Sequence, residues 1–293
     1  MTMTVTLLGT GTPWPDLNRQ SAAVLVKIGK ENLLFDTGRG VVYQAVQANI
    51  PLQEINPIFL THHHADHISD LYDVILTSWI EGRTWPLKIF GPPGTLKIVN
   101  ALIEQVFAKD IGFRAWEYID FQSRENLDLS NPPLDGHDIA KLEIKEITNG
   151  VIYQSDNLQV TAELVQHNYN ANPPQFEWVC LGYRINSQEK SVVISGDTVA
   201  CEGLDRLASG TDLLVQCCLC ADSDVRTPNR EHVIKYVLPS ASQVGKIAAR
   251  AGVAKMILTH IDPTASLDKM VRDVQKEYKG EVILGEDLLE IDV

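Results

Sequence analysis

Hydrophobic positions along the chain fall into short runs set between helical patterns. Val5–Leu8, Ala22–Ile28 and Asn32–Phe35 read as strands, the first two parted by a Gly/Pro-rich loop from Gly9 to Asn18. Val41, Val42, Ala45 and Val46 have helical spacing, and Ile58–Leu60 is another short apolar strand. Beyond a histidine-rich segment, Ile68, Leu71, Ile75 and Trp79 share one helical face, and Gly82 ends it. Leu87–Phe90 predicts a strand, Gly91-Pro92-Pro93-Gly94 a turn, and Leu96 to Val106 a helix. Strand patterns return at Leu158–Leu164, Glu177–Ile185, Ser191–Ile194, Leu213–Cys218 and Met256–Leu258. Before the last of these, Ser240 and Gln243 have capping-box spacing. They head a helical face of Val244, Ile247, Ala248 and Ala251 that Gly252 closes. Residues 110–150 are the least regular, with Asn131-Pro132-Pro133 and Asp135-Gly136 as turn signals.

The early strands look like antiparallel hairpins and the later ones alternate with helices, which predicts an α/β layered sandwich. No linker or repeat divides residues 1–293, so one domain is expected, with 110–150 as a lid or dimer-contact region. Composition fits a packed core: 44% of residues are hydrophobic and 22% charged. Charge adds a constraint. Twenty-five basic against thirty-eight acidic residues give a net charge of −13, and phosphate-rich partners need Lys and Arg to replace counterions. A nucleic-acid partner is therefore disfavoured, and a small-molecule substrate is expected. Cys180, Cys201, Cys217, Cys218 and Cys220 are odd in number and suit a reducing compartment. With no signal-peptide pattern and no run of ~18 apolar residues, the expectation is a cytoplasmic protein with no membrane partner.

The strongest chemical signal is Thr61-His62-His63-His64-Ala65-Asp66-His67, between an apolar strand and a helix. A strand end that opens into a loop can aim several side chains into one cleft, and imidazoles with a carboxylate suit a borderline cation such as zinc. His62 and His64, two apart in extended geometry, point the same way. Asp66 and His67 sit on the turn and can face a second ion. His63 should point away and is left outside the site. Three further strand ends offer ligands: His167 after Leu164-Val165-Gln166, Asp197 in Ser195-Gly196-Asp197-Thr198, and His260 in Leu258-Thr259-His260. The paired Cys217 and Cys218 face opposite sides of one short strand, which favours buried packing over a thiolate metal site.

With these residues assembled, the chain resembles the metallo-β-lactamase superfamily, whose His-x-His-x-Asp-His motif stands here as His62-x-His64-x-Asp66-His67. Leu8-Gly9-Thr10-Gly11-Thr12-Pro13 and Phe35-Asp36-Thr37-Gly38 look like its opening motifs, and His167, Gly196-Asp197-Thr198 and Leu258-Thr259-His260 like its later ones. The resemblance implies a four-layer αββα sandwich and two Zn2+ per chain. His62, His64 and His167 would bind one ion and Asp66, His67 and His260 the other, with Asp197 bridging and Asp36 orienting a ligand. Two zinc ions ~3.5–4 Å apart lower the pKa of a shared water to about 7 or below and polarise the substrate oxygen. The implied nucleophile is a bridging hydroxide, with Asp66 in the catalytic set.

Within the superfamily the motifs look most like the ribonuclease Z and arylsulfatase-like branch. Three departures separate the chain from a tRNA 3′-processing endonuclease. Only thirty residues separate His167 from Asp197 (197 − 167), which leaves no room for that family's basic tRNA-binding arm. Its helper histidine before the last helix is replaced in Pro239-Ser240-Ala241, and its strand glutamate is missing in Val215-Gln216-Cys217-Cys218. The expectation is therefore a zinc hydrolase of a small-molecule ester: an aryl sulfate, carboxylic ester or lactone. Tyr169 and Phe176 are the candidate pocket walls, ahead of Trp79, Trp85, Trp116 and Trp178. His232 is the candidate general acid in place of the missing histidine. The alternatives are a ribonuclease Z-like endonuclease or phosphodiesterase and, from a different chemistry, an iron-dependent sulfur dioxygenase. A metal-binding protein without catalysis is disfavoured because every ligand position is filled.

Overall fold

The computed structural model describes residues 2–118, 141–168, 178–188 and 190–293. The chain builds one sheet and then most of a second. β1 (Met3–Gly9), β2 (Ala23–Ile28) and β3 (Glu31–Phe35) form antiparallel hairpins. β4 (Ile55–Phe59), β5 (Leu87–Gly91) and β6 (Leu142–Glu146) then add in parallel. The second sheet repeats this order. β7 (Gly150–Gln154), β8 (Gln159–Val165), β9 (Cys180–Ser187) and β10 (Lys190–Ile194) are antiparallel. β11 (Leu213–Cys217), β12 (Lys255–Thr259) and β13 (Glu281–Leu284) continue in parallel. β14 (Glu290–Asp292) returns to the first sheet beside β1.

Side-chain alternation explains why the sheets stack. Successive residues of a strand point to opposite faces, and here both faces are buried. Leu33 and Phe35 face the second sheet while Leu34 faces helices; Val192 faces the first sheet while Val193 faces helices. A strand buried on both sides reads as a continuous apolar run, as these do. Between the sheets Phe35, Phe59 and Phe90 stack at 4.9 and 5.1 Å, and the buried Tyr183 hydroxyl donates to the Leu60 carbonyl at 2.5 Å. Outside the first sheet pack the helices Val41–Gln47 and Leu71–Ile80. Outside the second pack Glu202–Ala208, Ala241–Ala251 and Leu267–Glu277. The result is the expected αββα sandwich of the metallo-β-lactamase fold.

Three differences from the sequence reading have local causes. The helix expected after the histidine cluster is two pieces, Ala65–Ile68 and Leu71–Ile80. Thr37 separates them: its N–H donates to the His67 carbonyl at 2.7 Å, and its carbonyl accepts from Asp70 N–H at 3.0 Å. A continuous helix would need those groups for itself. The stretch 110–150 is also more regular than expected, with the helix Ala108–Tyr118 and the edge strand β6 inside it; the rest of the proposed lid, 119–140, lies outside the described residues. Leu96 to Val106 is a helix whose second half widens to a π turn, Leu102–Val106. No helix among the described residues is long and apolar enough to cross a membrane.

Candidate metal centre

Four loops at one end of the two sheets deliver the site. The loop after β4 carries His62, His64, Asp66 and His67; His167 follows β8, Asp197 follows β10, and His260 follows β12. All are loops at strand C-termini, where open α/β sheets leave a crevice. Gly196 has φ +59 and sits against the Thr61 side chain, a left-handed turn that aims Asp197 back across the gap. Asp36 and His260 also hold positive φ, 62° and 55°. Such backbone persists in non-glycine residues only where surrounding contacts impose it, as at functional sites.

The side chains form two groups whose ligand atoms lie within 4.8 Å of one another: His62, His64, His167 and Asp197, then Asp66, His67 and His260. In the first, His62 Nε2 is 2.9 Å and His167 Nε2 3.2 Å from His64 Nδ1. In the second, Asp66 Oδ2 lies 3.5 Å from His67 Nε2 and 3.2 Å from His260 Nε2. Asp197 Oδ2 reaches both, at 3.6 Å from His167, 3.5 Å from His67 and 3.3 Å from His260. His64 is exposed and marks the mouth; the other six are buried.

Supporting contacts fix the imidazoles. Asp36 Oδ2 accepts from His67 Nδ1 at 2.7 Å, while Asp36 also accepts from Thr61 N–H and hydroxyl at 2.7 and 2.8 Å. His67 Nε2 is thereby turned into the site, where it is buried without a hydrogen-bond partner. His167 Nδ1 donates to the Val237 carbonyl at 2.8 Å, which leaves Nε2 for the centre. A ring nitrogen held from behind with the other aimed inward is the arrangement metal ligands need. His63 turns away, with Nε2 2.9 Å from the Thr95 hydroxyl.

Electrostatics select the same protonation states. Burial, with the neighbouring His67, holds His62 well below the usual imidazole range, and burial with His167 lowers His64 to about 4. Burial also lowers His167. For Asp197, burial is outweighed by His260 and His67, and the carboxyl stays well below the ordinary range; for Asp66 too, burial is outweighed by His260 and His67 together, and its carboxyl is lowered. His67 runs opposite: burial opposes its charge, but Asp197 and Asp36 overcome it and hold it above 6.5. One retained proton thus balances carboxylates packed close together, and a divalent cation would displace it. Neutral imidazoles, ionised carboxylates and an orphaned inward nitrogen fit a borderline divalent cation.

Other expected site residues fall elsewhere. Exposed His232 lies on the helix Pro228–Tyr236, its ring 4.9 Å from Tyr236, outside both ligand groups. Tyr169 and Phe176 lie outside the described residues, as does the Trp116 side chain. Trp79 is buried in a small apolar cluster and Trp85 is exposed. Trp178 is at the site, ring centroid 4.7 Å from His64. Thr61 and the Val237 carbonyl are contributions that motif reading missed. Thr61 precedes the cluster directly, which was the available signal; a backbone carbonyl leaves none. On β11, buried Cys217 places its sulfur 3.3 Å from both Thr198 N and Thr198 O, bracing the residue after Asp197. Cys218 and Cys220 are core packing.

A hydrolase built on divalent metal is the class that this fold and centre define. The profile of the Beta-lactamase superfamily domain matches residues 31–261, and the chain belongs to the metallo-β-lactamase superfamily, in its ribonuclease Z branch. It is 34% identical over 296 residues to a protein named ribonuclease Z from Mycolicibacterium gilvum, covering 99% of this chain and 96% of that one. A ribonuclease Z from Mycobacterium avium is also 34% identical, covering 99% and 98%. Among solved structures, the metallo-β-lactamase fold protein YhfI from Bacillus subtilis superposes with TM-score 0.72 at 18% identity, covering 100% and 99%. The short form of human tRNase Z superposes at 0.68 with 20% identity and 98% of each chain.

Similarity along nearly the whole length of those ribonucleases overturns the expected small-molecule ester substrate, the arylsulfatase-like assignment and the argument against nucleic acid. The error was physical. A net charge of −13 averages over the whole surface and says little about the field at one opening.

Proposed function

We propose that this protein is a ribonuclease Z-type phosphodiesterase that holds two zinc ions and cleaves the 3′ side of tRNA precursors. Full-length similarity to ribonuclease Z proteins carries the reading, and a complete set of seven candidate ligands supports it. His62, His64 and His167 would hold one ion, Asp66, His67 and His260 the other, with Asp197 shared. When bound, such ions supply an activated water and polarise a phosphoryl oxygen.

The chain's own groups do the rest. Asp36 keeps the proton on His67 Nδ1, so Nε2 faces inward; Val237 does the same for His167. Ionised Asp66 and Asp197 make the centre anionic before metal arrives, which favours cations over the substrate's own phosphates. The scissile phosphate enters past His64, the exposed member. His232, on the neighbouring helix, is a candidate to protonate the departing oxygen only if substrate draws it to the mouth.

The test is a cleavage assay on zinc-loaded protein with a tRNA precursor bearing a 3′ extension, beside an aryl sulfate, a carboxylic ester and a lactone. The reading expects one cut at the tRNA 3′ boundary, abolished in Asp66→Ala. Ester or sulfate turnover with an uncut precursor would reject it.

A further inference from the structure

The helix Pro228–Tyr236 is weakly anchored by packing. Its Ile234 is buried with Cys217, Leu219 and Cys220, and its other residues are half-buried or exposed among the described residues. Helices in proteins are held mainly by a packed apolar face, so polar ties carry more of the positioning here. Arg230, in the first turn, donates through Nη1 to Asp262 Oδ2 at 2.9 Å, and the two side chains are 23% and 6% exposed. Just past the last turn, the Val237 carbonyl accepts from His167 Nδ1 at 2.8 Å. The two ties stand about 10 Å apart along the helix axis.

Each tie reaches a different half of the centre. Asp262 comes two residues after His260, in a loop fixed without the helix. There Ile261 N–H donates to the Thr10 carbonyl at 2.9 Å, and Asp262 N–H to the Leu219 carbonyl at 3.0 Å. Thr264 donates from its N–H and hydroxyl to Asp262 Oδ1 at 2.8 and 2.5 Å, which leaves Oδ2 for Arg230. His260 and His167 meet again at Asp197 Oδ2, 3.3 and 3.6 Å away. The contacts close a ring: Arg230, Asp262, His260, Asp197, His167, Val237, and back along the helix. Val237 keeps right-handed helical dihedrals, so its carbonyl points along the axis and follows any tilt. Beyond it, the Pro239 carbonyl accepts from Leu219 N–H at 3.0 Å. That end is a hinge, and Arg230 holds the other.

We propose that Arg230, paired with Asp262, is a positioning residue that stops the helix from tilting and so keeps the Val237 carbonyl on His167 Nδ1. Arg230 belongs to neither ligand group. It acts on the open half of the centre: His167 Nε2 stays aimed inward while the clamp holds and loses that aim without it. The proposal rests on the metal reading of the site and is independent of which phosphodiester is cut.

The experiment compares wild type, Arg230→Gln, Asp262→Asn, their double variant and the conservative Arg230→Lys. Arg250→Gln is the control, since it breaks an exposed ion pair to Asp205 outside the ligand groups. Nitrogen-15 NMR of metal-free protein follows exchange of the His167 Nδ1 proton, assigned by its absence from His167→Ala, and calorimetry follows zinc binding. Arg230→Gln and Asp262→Asn should each speed that exchange by about ten-fold or more. Each should weaken the second zinc equivalent by about ten-fold and spare the first. The double variant should be no worse than either single one, because the same contact is lost, and Arg230→Lys should recover most of both effects. Excess zinc should restore hydrolysis of bis(4-nitrophenyl) phosphate, since the ligands remain. Unchanged exchange and zinc affinity in Arg230→Gln, or effects equalled by Arg250→Gln, overturns the clamp. Wild type that binds no zinc overturns the metal reading instead. Tight zinc binding with an uncut tRNA precursor overturns the ribonuclease reading and leaves the clamp standing.

Discussion

The two halves of the centre are built from the same residue types and held very differently. Asp66, His67 and His260 are all buried, and His67 is locked from behind by Asp36 and Thr61. The other half has His62 and His167 buried but ends in exposed His64, whose Nδ1 faces its histidine partners. Asp197 touches both. A ligand fixed by burial and a buttress loses little freedom when metal binds, whereas an exposed one must be ordered at that moment. The closed half is thus suited to retain its ion, and the open half to meet substrate.

Removing the shared residue should have the largest effect. Asp197→Ala should abolish both sites, with kcat/KM down by about 10⁴-fold or more and metal content near zero by elemental analysis. Asp36→Asn breaks the asymmetry from one side. Asparagine tolerates the left-handed backbone there, so the fold should survive while closed-half affinity falls by about 10–100-fold. Calorimetric zinc titration would show the two events drawing together. His64→Ala should weaken only the open half and leave the melting temperature of metal-free protein within about 1–2 °C, because an exposed side chain contributes little packing.

The smallest effect concerns pH. His62, His64 and His167 are held below 6.5 when folded, so the unfolded chain binds protons first, and their stabilisation is complete above 6.5 and lost on acidification. His67 is raised, so its stabilisation is present below 6.5 and lost as pH rises through its folded value. The two effects act on opposite sides of 6.5: His67 alone lowers stability as pH rises above it, and the three other histidines lower it as pH falls below it. The melting temperature of the metal-free protein should peak near pH 6.5, falling by about 2–4 °C per pH unit as pH rises above it through His67 and more steeply below about pH 6, where three histidines act together.

The sequence reading succeeded where one residue type meets one local pattern. The runs that became β1 to β5 and β10 to β12 are apolar because both faces are buried, while β8 shows the alternation of a half-buried strand, with Val160 and Ala162 inward. The capping box at Ser240 and Gln243 is present with its Gly252 terminus at φ 65°. β6, β13 and β14 escaped because edge strands with exposed polar positions have weak periodicity. The helix Ala108–Tyr118 escaped because Gly112 interrupts a pattern of low hydropathy. At the centre, the candidate ligands could be picked out because metal ligation demands particular residues at strand ends, and the fold brings them together in two groups. Asp36 reads in sequence as a turn residue, and only the fold shows its carboxylate 2.7 Å from His67. The substrate was misread because whole-chain charge stood in for the field at one opening.

The asymmetry and the proposed ribonuclease activity meet in one titration. Metal-free protein is given zinc in small steps while bound metal and cleavage of a tRNA precursor are followed together. The account predicts a tight first equivalent without activity, then a weaker second equivalent with which precursor cleavage rises, at least about ten-fold apart in affinity. Full precursor cleavage at one equivalent, or two equivalents binding with one shared affinity, would contradict it.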